Sequence, residues 1–135
     1  MVSNTDDDAD FSDAFCEFLQ RSISTVDAAE LLLLLYSHRD IAWEPRDLAA
    51  RLEPVASLSV GDTATYLELF RQHGLVLRGD GERLRFEPAS AELETHVRTL
   101  ARLYNERPVT LIRVIYALQD KKIKTFADAF KFWRS

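Results

Sequence analysis

Apolar residues recur every three to four positions along most of this chain, and the breaks in that rhythm divide it into short helices around one hairpin. Phe11, Phe15, Phe18 and Leu19 fall at helical spacing with Ser12 placed to cap, which predicts a helix from Phe11 to about Ser22. A second helix, capped by Ser24 or Thr25 and carrying Asp27 in its first turn, contains the run Leu31 to Leu35 and ends near His38. After a short extended Ile41-Ala42-Trp43, the helix restarts at Glu44-Pro45, because proline suits the first helical turn. Leu48, Ala49 and Leu52 form the buried stripe of that helix, and Pro54 ends it. Ser59 with Asp62 then makes a capping-box-like start to helix 60–73. Ala64, Leu67 and Phe70, with Val60 beside them, take its core positions, and Gly74 supplies a left-handed stop.

Past Gly74 the period shortens to two. Leu75 and Leu77 on one arm and Leu84 and Phe86 on the other are expected to face one side of a hairpin over 75–86. Gly79-Asp80-Gly81 provides residues tolerant of positive φ between the arms, and Pro88 ends the second arm. Helical spacing resumes with Leu93, Val97, Leu100, Ala101 and Tyr104 and stops at Arg107-Pro108. Leu111, Ile112, Ile115, Tyr116 and Leu118 suggest a helix to about Gln119, although the β-branched Val109, Val114 and Ile115 leave a strand open there. A last segment from Thr125 carries Phe126, Ala127, Phe130 and Trp133.

The segment Ser24 to Phe86 resembles the winged helix-turn-helix superfamily. The likeness rests on the helix Leu48-Ala49-Ala50-Arg51-Leu52, the stop His73-Gly74-Leu75-Val76 and the turn Gly79-Asp80-Gly81. It implies a mainly α fold with a small β-hairpin wing, its core at 24–86 and its flanking helices at 11–22 and 90–134. It also implies a regulatory role without catalysis, with flanking helices that make a subunit interface as in dimeric bacterial regulators. The ending from Arg107-Pro108-Val109 to Phe126-Ala127-Asp128-Ala129-Phe130 is similar to that of small uncharacterised bacterial proteins and implies no activity.

Composition and charge narrow the uses of such a fold. With 47% hydrophobic and 29% charged residues, the chain reads as a globular domain over 11–135 behind an acidic, flexible stretch at 1–10. The formal net charge of -5 is unevenly spread: residues 121–135 hold all four lysines and carry +4, leaving -9 before them. Between Glu44 and Glu87, eight acids (Glu44, Asp47, Glu53, Asp62, Glu68, Asp80, Glu82, Glu87) oppose six arginines. That excess disfavours DNA, since phosphate neutralisation supplies nearly all non-specific affinity. If DNA is read by helix 60–73 and wing 75–86, the candidate contacts are Thr63, Thr65, Tyr66, Gln72, Arg78, Arg83 and Arg85. The favoured reading is instead a protein-interaction or dimerisation module, with Phe11, Phe15, Phe18, Phe126, Phe130, Phe132 and Trp133 as candidate interface residues.

Other chemistry finds little support. His38, His73 and His96 lie in separate elements without metal-ligand spacing, and no phosphate loop, dinucleotide fingerprint or serine elbow occurs, so no catalytic residue, metal or cofactor is expected. The lone Cys16 reads as a small core residue. The leucine run is too short to span a membrane and no signal peptide opens the chain, which suggests a cytoplasmic protein.

Overall fold

A computed structural model describes residues 10–53, 58–120, 122–123 and 125–134, and the side chains among them as far as Lys131. The protein is mainly helical with one small antiparallel hairpin. Its helices are α1 (Asp13–Ser22), α2 (Val26–Ser37), α3 (Pro45–Leu52), α4 (Val60–Gln72), α5 (Ala91–Glu106), α6 (Pro108–Ala117) and α7 (Phe126–Arg134). Strands β1 (Val76–Arg78) and β2 (Leu84–Phe86) lie between α4 and α5. The chain forms two compact units, Asp27–Val97 and the pair of segments Met1–Val26 with Arg98–Ser135.

In the unit Asp27–Val97, α3 packs on α4 and α4 on β1. Proline opens α3 as expected, with Glu44 at its N-cap, and Leu48, Ala49 and Leu52 are its buried residues. Ser59 caps α4 by accepting the Asp62 amide at 2.9 Å. The end of α4 is a Schellman motif: Leu75 N–H reaches Phe70 O at 2.9 Å, Gly74 N–H reaches Arg71 O at 3.1 Å, and Gly74 takes φ 77°. An added Cβ there would also meet the Ala89 Cβ at 3.2 Å, so glycine is required for both conformation and space. The extended Trp43 joins the hairpin as a third strand fragment, exchanging bonds of 2.7 and 2.8 Å with Leu84.

Two expectations in this unit are corrected. The buried positions of α4 are Thr63, Leu67 and Phe70, while Ala64 and Val60 are exposed. Thr63 can occupy the interior because its hydroxyl donates to the Ser59 carbonyl at 2.8 Å, which removes the penalty of burying it and leaves its methyl for packing. In the hairpin, Val76 pairs with Phe86 and Arg78 with Leu84, so the alternation turns Leu77 and Arg85 outward together. Leu77 is 49% exposed, whereas Val76, Leu84 and Phe86 are buried. Leu75 is buried as well, but it lies in the turn before the strand.

In the unit of the two terminal segments, Ser12 caps α1 through the Phe15 amide at 3.2 Å. Gln20 on α1 donates to the carbonyls of Leu118 at 2.8 Å and Ile123 at 2.7 Å, which satisfies backbone beyond the end of α6. Phe11 stacks on Phe126 with centroids 4.9 Å apart, and the Arg107 guanidinium lies 5.5 Å from its ring centre. Asp10 receives Arg102 at 2.8 Å and Arg107 at 2.9 Å. Burial pushes the Asp10 carboxyl upward, but the two arginine hydrogen bonds and charges outweigh it and hold the group below its ordinary range. Cys16 is buried, and burial with the nearby Asp13 charge pushes its thiol up to about 12. Residues 108–117 are helical, which closes the strand alternative: Pro108 pre-sets the first turn, and Leu111, Val114, Ile115 and Leu118 are buried. Tyr116, one of the residues whose spacing suggests this helix, is 53% exposed.

The candidate interface aromatics are corrected in the same way. Phe11, Phe15, Phe18 and Phe126 are 2–8% exposed and serve as core, because helices this short need large side chains to bury enough apolar area. Phe130 reaches the surface at 36%, and the side chains of Phe132 and Trp133 lie outside the described residues. No described helix is long and apolar enough to cross a membrane.

Candidate functional site

Polar side chains from α3, α4 and the hairpin make up the surface on which DNA contacts were expected. On this surface Glu68, on the solvent side of α4, gathers the chemistry. Its carboxylate accepts two hydrogen bonds from Arg71, one helical turn away, the Nε contact being 3.0 Å. It accepts another from Gln72 at 3.3 Å, and Arg78 of β1 approaches it at 3.6 Å. A helical Glu meets residues three and four positions on, so Glu68, Arg71 and Gln72 share one face as α-helix geometry dictates. The Gly74 turn folds β1 back and brings Arg78 to the same carboxylate.

The hydrogen bonds from Arg71, with the charges of Arg71 and Arg78, hold the Glu68 carboxyl down at about 2 although 40% of its side chain is exposed. The other wing arginines are engaged too. Arg83 lies 3.6 Å from Glu44, and Arg85 lies 2.7 Å from Glu87. Arg51 of α3 lies 5.9 Å from the Trp43 ring centre and 3.4 Å from His38 Nε2. Arg39, at the other end of the hairpin, pairs with Glu94 at 2.9 Å and sits 5.1 Å from the Phe86 ring centre.

The seven candidate DNA contacts therefore divide. Thr63 is buried and removed from the surface. Thr65 is exposed, with its hydroxyl donating to Gly61 O at 3.0 Å, and Tyr66 is half-buried. Gln72 and Arg78 converge on Glu68, while Arg83 and Arg85 point to separate carboxylates. Sequence reading treated Glu68 only as an unwanted charge. Its spacing to Arg71 and Gln72 was the available signal that it organises its neighbours. The pairing of Arg78 with Glu68, and of Arg83 with Glu44, depends on how the hairpin folds back and had no local signature.

The histidines do not converge. His38 packs edge-on to Trp43 at 6.0 Å, and His96 lies 3.7 Å from Glu92 on its own helix. Among the described residues no three His, Cys, Asp or Glu side chains are placed to hold a metal ion. No family model, curated protein or solved structure matches this chain.

Proposed function

We propose that this chain is a winged-helix regulatory protein that acts by binding another protein or a second copy of itself, rather than by reading DNA or by catalysis. The order of α3, α4 and hairpin, with α4 packed on both, supports the winged-helix reading. One observation carries the functional choice: Arg71, Arg78, Arg83 and Arg85 each have a carboxylate of the same unit within 4 Å. A guanidinium has five N–H donors and can hold a carboxylate and a phosphate together, but a charge already offset by its own carboxylate gains less from a phosphate and gives less of the counterion release that drives DNA binding. Asp47, Glu53, Asp62, Asp80 and Glu82 are all exposed, outnumber the remaining Arg46 and Arg51, and add repulsion.

Fluorescence anisotropy with a labelled mixed-sequence duplex tests this reading. The full chain should show no saturable binding at low salt, where ionic attraction is screened least. Non-specific DNA binders hold duplex with Kd of about 1–100 µM even at physiological salt. Binding in that range, falling steeply as salt is added, would overturn the proposal in favour of a DNA-reading regulator.

A further inference from the structure

Between α3 and the first turn of α4 lies an open cleft of about 640 Å³. Ala49, Ala50, Leu58 and Val60 are its apolar lining residues, and Arg46, Glu53 and Asp62 its charged ones. We infer that this cleft is where the protein partner docks, and that the docking segment is cationic, presenting lysine or arginine beside aliphatic side chains. The inference rests on the protein-binding role proposed above and names the chemistry of the partner.

Shape and charge point the same way. Ala50 is exposed and Ala49, though buried, lines the cleft with only a methyl group, so small side chains keep the cleft open along α3. Val60 is 50% exposed in the first turn of α4, an apolar surface that the helix does not use for its own core. Volumes of several hundred Å³ are those of sites that receive side chains or small ligands. The charge follows from the pairing already described. Arg71 and Arg78 share Glu68, Arg83 has Glu44 and Arg85 has Glu87, so three of these four positive charges are already balanced and one is left against Glu53, Asp62 and the other exposed acids. Asp62 does have a local use, since an acid in the first helical turn is favoured by the helix dipole, but its charge remains exposed. Among the described residues Arg46 is the one base lining the cleft, against two acids there and exposed Asp47 on the same helix. Such a surface repels a phosphate backbone and attracts a basic segment, whose aliphatic groups would cover Val60 and Leu58.

The test is a titration of the ¹⁵N-labelled full chain, followed by amide shifts, with a short lysine–leucine peptide and with a glutamate–leucine counterpart. The lysine peptide should shift amides in 46–53 and 58–62, with affinity falling as salt is raised. Glu53→Lys with Asp62→Lys should weaken it by about tenfold or more. Ala50→Arg, a change at an exposed helix position that should leave far-UV circular dichroism unchanged, should do the same by filling the cleft. Shifts elsewhere, equal binding of both peptides, or no response to the lysine peptide would overturn the inference. A parallel titration with duplex DNA separates the two levels. If duplex is silent, failure of the peptide sinks the cleft assignment alone, whereas duplex binding sinks the protein-binding reading itself.

Discussion

Replacing Glu44, Glu68 and Glu87 together by glutamine should give the chain a salt-dependent affinity for duplex DNA that the unaltered protein lacks. The three carboxylates are the partners of Arg71, Arg78, Arg83 and Arg85, and all are at least 40% exposed at the side chain. Glutamine keeps their length and hydrogen-bonding capacity, so the fold is left intact while the arginines lose their counter-charge. Across Glu44 to Glu87 the balance moves from eight acids against six bases to five against six, from -2 to +1. Four arginines free to meet phosphates would give log K a slope approaching about -3.5 against log salt, at about 0.9 per contact. Anisotropy with the same duplex measures it. A variant that folds normally yet gains no affinity would show that carboxylate pairing is not what keeps these arginines from DNA.

Phe11→Ala should be the more damaging change to stability. The ring is 2% exposed, stacked on Phe126 and covered by Arg107, and Asp10 beside it ties down both Arg102 and Arg107. Truncating a buried phenylalanine removes its transfer free energy and leaves a cavity, a loss of about 3–5 kcal/mol. Domains of this size are stable by about 5–15 kcal/mol, so urea unfolding followed by circular dichroism should show a large fall in midpoint. A loss below about 1 kcal/mol would mean that this segment docks loosely and that Phe11 is not part of the working core.

Much of this arrangement was legible in residue order. Pro45 and Pro108 mark the starts of α3 and α6, Ser12 and Ser59 cap α1 and α4, and Gly74 stops α4, each for a local reason that needs no knowledge of the rest. What failed was phase. In α4 Leu67 and Phe70 are buried as expected, but Thr63 takes the place given to Ala64 because it hides its hydroxyl against Ser59, a solution that composition counts as polar and therefore exposed. In the hairpin, Leu75 and Leu77 looked like one inward pair, but the register seats Val76 opposite Phe86 and sends Leu77 out with Arg85. The flanking aromatics looked like surplus surface because their burial depends on contacts distant in sequence, such as Phe11 on Phe126. Net charge was readable in advance, but its pairing was not. Whether Arg78 is available to a phosphate depends on the fold-back at Gly74 that sets it beside Glu68.

The titration of the Glu68 side-chain carboxyl, followed by its ¹³C shift, tests most directly whether the chain's own acids hold the arginines of this face. With the folded value depressed below the ordinary 4.5, the interaction is in full force above that pH and is lost as pH falls towards about 2. Glu68 should therefore titrate near 2 in the unaltered protein and move back towards 4.5 in Arg71→Ala. An ordinary titration near 4.5 in the unaltered protein would show that Arg71 and Arg78 are not held, and the case against DNA would lose its foundation.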